Sequence, residues 1–227
     1  MTRRGRPPLV VTVDGPAASG KSTAAVRLAA ALGIPFLSTG ALYRAVALEA
    51  LRRRLPWSHA RALARVAMRL TLRFARGSRG SVRVLLRGDD VTAALASPEV
   101  ARASSDHVAS CRPVREAVVA WSRRFAARQG AVAEGRDCGT VIFPGARHKF
   151  FLTASAAERA RRRVADLAAI GHRASLEAVR RAVVRRDRAD AARPWGALVP
   201  ATDAWVVETT ARVPAETVAL MRRLMGR

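Results

Sequence analysis

Leu9-Val10-Val11-Thr12-Val13-Asp14-Gly15-Pro16-Ala17-Ala18-Ser19-Gly20-Lys21-Ser22-Thr23 decides how the rest of the chain is read. The short β-branched run predicts a buried parallel strand. It gives way to a loop matching GxxxxGK[ST], then to Ala25, Leu28, Ala29 and Leu32 at helical spacing, closed by Gly33. Strand, glycine loop and helix are the setting in which this pattern binds a nucleoside triphosphate. The glycines let successive backbone N–H groups turn inward as an anion nest, and the helix N-terminus adds partial positive charge. Lys21 is placed to reach the β- and γ-phosphates, and the Ser22 hydroxyl to ligate Mg²⁺.

Outward from this loop, strands alternate with helices. Residues 34–37 read as a second strand, weakened by Pro35, and 40–54 and 58–69 as helices separated by Pro56. Residues 70–74 and 82–86 read as a hairpin around Gly77-Ser78-Arg79-Gly80, with a further turn at Gly88-Asp89-Asp90. Helical texture covers 98–109 and 113–128, then strands 130–133 and 148–152, helices 155–169, 175–193 and 214–225, and a last strand at 204–208. The expected fold class is α/β, a three-layer sandwich whose parallel sheet is covered by helices. The β segment near 70–95 and the Arg-rich helices after 155 read as appendages to it.

The chain has 227 residues, half of them hydrophobic, which is enough for a substantial core and excludes a disordered chain or a disulfide miniprotein. Arginines interrupt every long apolar run, so no membrane span is expected, and Leu9–Val13 is too short for a signal peptide. Two cysteines, Cys111 and Cys138, without metal-ligand spacing suit a reducing cytoplasm. The unusual quantity is charge, 41 Lys+Arg against 17 Asp+Glu, a net +24. Such a balance raises the prior for a polyanion. Against nucleic acid stand an aromatic content of 5%, the lack of a basic tail, and an arginine excess beside abundant alanine that suits GC-rich coding. Residues 50–88, with eleven arginines and no acid, are where a large polyanion would dock if one did.

An ATPase or GTPase normally has an acid ending a strand to hold magnesium, or a glutamine to position water. No hydrophobic run reads as ending in such an acid, and Gln129 is the only glutamine. Arginines set in distinctive contexts point instead to phosphoryl transfer between two phosphate-bearing substrates, which needs positive charge and little covalent chemistry.

Those contexts are Asp14-Gly15-Pro16 fused to the loop, Thr39-Gly40-Ala41-Leu42-Tyr43-Arg44, Val114-Arg115-Glu116, Glu134-Gly135-Arg136-Asp137-Cys138-Gly139-Thr140, and Arg186-Asp187-x-x-Asp190-x-x-Arg193. In this order, from Val10 to past Asp203, they resemble the bacterial cytidylate kinases, which move the ATP γ-phosphate to CMP or dCMP in pyrimidine nucleotide metabolism. The resemblance implies one P-loop kinase domain over 9–227, with a β-containing monophosphate-binding insert at 70–97 and a helical lid at 155–193. It implies ATP on Gly15, Pro16, Ala17, Ala18, Ser19, Gly20, Lys21, Ser22 and Thr23, with Mg²⁺ on Ser22. CMP falls to Arg44 and Arg136 at the phosphate and to Thr39, Arg115, Asp137 and Arg193 around the base. Ser105 (or Ser104, because the chain is one residue longer between Val100 and Val114), Arg186 and Asp190 fall at the sugar. Guanidinium forks suit phosphates because they make two parallel charge-assisted bonds.

Lys21, Arg136, Arg162 and Arg163 are the expected catalytic residues; which of the lid arginines Arg159, Arg162 and Arg163 stabilises the transferring phosphoryl group stays open. Arg186, Asp190 and Arg193, at i, i+4 and i+7, are expected on one helical face. Asp14 either orients Lys21 and magnesium-bound water or caps a turn. His59, His107, His148 and His172 read as surface residues, and Trp57, Trp121, Trp195 and Trp205 as packing or interface aromatics. Cys138 reads as filling an apolar slot.

The chain departs from the family pattern at Ser38, where Asp is common, at Leu95-Ala96-Ser97, where an arginine is missing, and at Ala192 and Gly196-Ala197-Leu198. These bear on base and sugar preference, toward dCMP or UMP. A cytoplasmic monomer is expected. The alternatives are a nucleic-acid-binding P-loop protein, motivated by residues 50–88, and another small-molecule P-loop kinase such as a shikimate or gluconate kinase, which shares the loop but leaves the Glu134–Thr140 and Arg186–Arg193 segments unexplained.

Overall fold

The computed structural model describes residues 8–77, 81–169 and 171–226, so Ser78, Arg79 and Gly80 of the expected hairpin loop lie outside the described residues. The chain runs through β1 (Val10–Asp14), α1 (Lys21–Leu32), β2 (Phe36–Ser38), α2 (Thr39–Arg52), α3 (Ala60–Met68), β3 (Leu72–Arg76), β4 (Val82–Leu86) and β5 (Asp89–Asp90). Next come α4 (Thr92–Ala96), α5 (Pro98–Ala103), α6 (Arg112–Gln129) and β6 (Ala131–Gly135). β7 (His148–Thr153), α7 (Ala156–Ala169), α8 (Leu176–Ala191), β8 (Trp205–Glu208) and α9 (Pro214–Met225) follow.

The main sheet has five strands in the order β2-β6-β1-β7-β8. β1 runs parallel to β7 with Val11 opposite His148 and Asp14 opposite Phe151, and β7 parallel to β8 with Phe150 opposite Trp205. Parallel neighbours need crossover connections, which the helices supply, so the fold is the expected α/β arrangement. The described chain divides into two compact units: residues 8–10 with Ala29–Ala133, and Val11–Leu28 with residues 134–226.

In the first unit α2 buries ten of its fourteen residues. The Ser38 hydroxyl caps it, accepting from the Ala41 N–H at 3.2 Å. Ser is among the good N-cap residues, so Ser38 suits this position. β3 and β4 pair antiparallel, Leu72 opposite Leu86 and Phe74 opposite Val84. Alternation then buries Leu72, Val84 and Leu86 while Arg73 and Arg83 face solvent. Phe74 meets Phe36 and Phe125 edge-on at 5.7 and 6.3 Å. The turn expected at 88–90 sits one residue earlier, because Arg87 and Gly88 both take positive φ (54° and 101°). That is the mirror-image two-residue turn that suits the strand twist, and it leaves Asp89–Asp90 as strand.

The helix expected over 98–109 ends at Ala103 and continues as a π-type wide turn at Ser104–Val108. Such a turn absorbs one extra residue in a helical run. It falls between Val100 and Val114, the segment expected to run one residue long.

In the second unit α7 and α8 pack through Ala160, Val179 and Val183, with Val164, Leu167 and Ala174 around them. Two of the four tryptophans pack as expected. Trp121 donates to Leu70 O at 2.9 Å, and Trp57 lies flat on His107 with centroids 4.9 Å apart. Trp195 and Trp205 are exposed.

Candidate functional site

The loop after β1 depends on glycine where backbone approaches backbone. Gly15 has φ +150°, and a Cβ added there would lie 2.1 Å from Leu152 O, so no side chain fits. Ala18, at φ 58°, is a non-glycine residue in the left-handed region, a strain of about 1–2 kcal/mol.

Each carbonyl of the loop has a donor. Arg136 Nη1 donates to Gly15 O, Lys21 Nζ to Pro16 O at 3.2 Å, and Arg159 Nη1 to Ala17 O at 3.4 Å. Arg162 Nη1 donates to Ala18 O at 3.5 Å, Thr209 Oγ1 to Ser19 O at 2.9 Å, and the Ala24 N–H to Gly20 O at 3.0 Å. In a trans peptide the C=O and the following N–H point opposite ways. Donors reaching in from Arg136, Arg159, Arg162 and Thr209 therefore fix where the next N–H groups point. An anion nest needs this, because a carbonyl turned toward a phosphate would repel it.

Lys21 is partly buried at the start of α1. Loss of water pulls its ammonium pKa down to about 7, with Arg136 adding to the shift and Glu134 opposing it. The next residue corrects the sequence reading. Ser22 Oγ donates to Glu134 Oε2 at 3.1 Å, and Glu134 lies in β6, all five residues of which are buried. A buried run does end in an acid; reading the strand only to residue 133 hid it. A hydroxyl and a carboxylate at hydrogen-bond distance are hard oxygen donors of the kind that hold Mg²⁺ beside phosphates, so the residues fit that ion.

Asp14 is buried and accepts from the N–H groups of Cys138 and Gly139 at 2.9 and 2.7 Å. Burial raises its pKa to about 6, and these two bonds pull the other way. These bonds hold the turn Cys138–Ile142 against the P-loop strand, a different turn from the loop Asp14 was expected to cap, and the Asp14 charge also favours the Lys21 ammonium. Gly139 permits the approach, since a Cβ there would sit 3.0 Å from Thr12 Oγ1 and 3.4 Å from Asp14 Oδ2. Cys138 is fully buried, and Asp137 is buried before the turn.

Asp190 gathers three arginines. Arg136 Nε lies 2.9 Å from Oδ2, Arg193 Nη2 2.7 Å from Oδ1, and Arg186 Nε 3.9 Å from Oδ2. The expected shared helical face is only partly right, because α8 ends at Ala191 and Arg193 reaches Asp190 from beyond it. Through its bond to Gly15 O, Arg136 joins this cluster to the P-loop.

The three lid arginines differ. Arg159 is buried, donating to Ala154 O at 2.9 Å and pairing with Asp187 at 2.6 Å. Arg162 grips Thr209, Nη2 to the carbonyl at 2.6 Å and Nη1 to the hydroxyl at 3.2 Å, and pairs with Glu158 at 3.1 Å. Arg163 is exposed, and no hydrogen bond or ion pair holds it among the described residues. The sequence reading missed Glu134 and Thr209; Thr209 carries no signal beyond following a β-branched run.

The first unit holds the remaining candidates. Thr39 is buried at the start of α2, and Arg44 Nη1 lies 3.5 Å from where a Gly40 Cβ would be. Arg115 is buried, its guanidinium 5.6 Å from the Tyr43 ring centroid and its Nη1 donating to Ala109 O at 3.2 Å. Ser104 is buried and Ser105 half-buried, both inside the wide turn. In the basic stretch, Arg52, Arg53 and Arg87 converge on buried Glu49, with shortest distances of 3.6, 2.6 and 3.0 Å. Arg83 pairs with Asp90 at 2.6 Å.

A family model described as Cytidylate kinase matches residues 11–226. A curated protein named "Cytidylate kinase" from Pelotomaculum thermopropionicum is 43% identical over 211 residues, covering 93% of this chain and 92% of that protein. One of the same name from Symbiobacterium thermophilum is 43% identical over 210 residues, covering 92% of each. Among solved structures, an uncharacterized protein from Eubacterium ventriosum aligns over 96% of this chain and 99% of its own with a TM-score of 0.50 at 11% identity, a likeness of fold.

Proposed function

The chain belongs to the cytidylate kinase family, and we infer from this that it transfers the γ-phosphate of ATP to CMP or dCMP, giving ADP and CDP or dCDP. We assign ATP to the P-loop, residues Gly15 to Thr23, with Lys21 on the β- and γ-phosphates. The anionic oxygens would restore the charge that burial weakens on Lys21. Ser22 and Glu134 are the residues that would hold Mg²⁺. When bound, that ion neutralises charge on the β- and γ-phosphate oxygens. The attacking phosphate oxygen of CMP is already anionic near neutral pH, so no side chain is asked to act as general base.

The observation that carries this reading is Arg136. It donates to the P-loop at Gly15 O and to buried Asp190, which places a guanidinium of the Glu134–Thr140 motif beside the phosphate-binding loop. We assign Arg136 to the acceptor phosphate, with Asp137, Arg186, Asp190 and Arg193 binding the nucleoside. From the first unit we assign Thr39, Arg44, Arg115 and Ser105 or Ser104 to CMP, each on the family pattern. Of the lid arginines we favour Arg162 at the transferring group, because it is less buried than Arg159 (26 against 8% exposed) and, unlike exposed Arg163, reaches the P-loop at Ala18 O.

The three-stranded sheet β3–β4–β5 and the α7–α8 pair are assigned as the monophosphate-binding insert and the lid. A cytoplasmic monomer completes the reading and rests on the resemblance alone. Among the described residues no helix is long and apolar enough to cross a membrane.

Initial rates with ATP, Mg²⁺ and a panel of CMP, dCMP, UMP and AMP test the assignment. CMP and dCMP should turn over fastest; no turnover of any pyrimidine monophosphate overturns it.

A further inference from the structure

Among the residues that hold the P-loop carbonyls, Thr209 is the one that no sequence motif accounts for. It follows β8 directly and is buried. Its N–H donates to Thr153 O at 2.8 Å, carrying the β7–β8 pairing one residue further. Its side chain does something different. Oγ1 lies 2.9 Å from Ser19 O and 3.0 Å from Thr153 O, and accepts from Arg162 Nη1 at 3.2 Å. The Thr209 carbonyl accepts from Arg162 Nη2 at 2.6 Å. A threonine hydroxyl has one proton and two lone pairs. Here the proton is shared between two carbonyls and a lone pair is taken by the guanidinium.

We propose that Thr209 is a positioning residue for the triphosphate, setting the Ser19–Gly20 peptide and holding Arg162 against the P-loop; this rests on the ATP-dependent kinase reading above. Drawing Ser19 O toward Thr209 sends the Gly20 N–H the opposite way, away from Thr209. Gly20 takes φ +83°, and a Cβ there would lie 3.5 Å from Arg162 Nη1 and 4.0 Å from Thr209 Oγ1, so the three groups surround one peptide. Among the described residues no other donor is seen on Ser19 O, so without the hydroxyl this peptide is held only through its neighbours, by the Ser19 N–H on Pro16 O and the Ala24 N–H on Gly20 O, and can turn. Rotation replaces an N–H donor with a carbonyl where a phosphate must bind. Arg162 at the same time loses one of its two grips on Thr209.

Thr209→Val keeps the shape and removes the hydroxyl, whereas Thr209→Ser keeps the hydroxyl. KM for ATP and KM for CMP are measured separately for both, together with direct binding of a fluorescent ATP analogue. Thr209→Val should raise KM for ATP and the analogue's Kd by about tenfold, the usual scale for leaving a buried partner unpaired. KM for CMP should stay within about twofold, and Thr209→Ser should recover most of the ATP effect. Unchanged ATP affinity, a parallel rise in both KM values, or a Ser variant as impaired as Val overturns the proposal. If Thr209→Val melts below the assay temperature, Thr209→Ala carries the same comparison. Failure of the wild-type protein to phosphorylate CMP counts against the acceptor reading alone, because analogue binding still decides the role of Thr209.

Discussion

Two buried carboxylates in this molecule each gather three arginines, and the surroundings of those arginines differ. Glu49 is 6% exposed, but its partners Arg52, Arg53 and Arg87 are 48, 45 and 55% exposed. Asp190 is 2% exposed, and while Arg186 is 47% exposed, Arg136 and Arg193 are only 16 and 18% exposed. Around Glu49 the guanidiniums keep much of their water, so their bonds are screened and a phosphate would gain little by competing. Around Asp190 two guanidiniums have given up most of their hydration, and one also holds a P-loop carbonyl. Poorly hydrated guanidiniums offer an incoming phosphate strong charge-assisted bonds without first having to shed water. Arginine number therefore says little about where a nucleotide binds; withdrawal of the arginine from solvent says more.

The largest expected effect separates the two clusters by activity. Arg136→Ala should lower kcat/KM for CMP by about 10³-fold, because it removes the guanidinium assigned to the acceptor phosphate beside the P-loop, near the low end of what a catalytic arginine supplies in phosphoryl transfer. Arg53→Ala should stay within about twofold in the same assay. Comparable losses in both would break the comparison. Next comes stability. Asp190→Ala leaves buried arginines unpaired and should cost about 3–5 kcal/mol in urea unfolding. Glu49→Ala releases its arginines into water and should cost closer to about 1 kcal/mol.

Asp14 sharpens the contrast as a third buried carboxylate, held by two N–H groups instead of guanidiniums. Its pKa is raised from 3.8 to about 6. Between those values the folded state keeps a proton that the unfolded state has lost. Its contribution to stability therefore falls as pH rises through this window and is level above it. The stability of the wild type relative to Asp14→Asn should drop by roughly 1–3 kcal/mol from pH 4 to pH 7; a flat difference contradicts the assignment. The smallest effect is in salt. Any cost of Arg53→Ala, at most about 1 kcal/mol, should vanish in 0.5 M NaCl (about 4 Å of screening length), whereas that of Arg193→Ala should persist.

The P-loop was legible because its chemistry demands particular residues in a row: Gly15 where a Cβ meets Leu152 O, and Lys21-Ser22 at the helix start. The parallel sheet followed from the alternation of strand and helix. Glu134 was not legible as a partner of Ser22. It is 112 residues away, and alanines on either side of Val132 make β6 a weak strand signal. Arg193 was placed on a helix because periodicity does not show that α8 stops at Ala191. The three contacts of Thr209 come from β7, α7 and the P-loop at once, which no local pattern encodes. The excess of arginine at 50–88 looked unassigned until Glu49, one residue outside that stretch, supplied the partner for three of them.

The most direct test of phosphoryl transfer to a pyrimidine monophosphate is product stoichiometry, followed by ³¹P NMR with ATP, Mg²⁺ and CMP. ADP and CDP should appear in equal amounts, with no inorganic phosphate released. ADP accompanied by inorganic phosphate, with CMP unchanged, would contradict it.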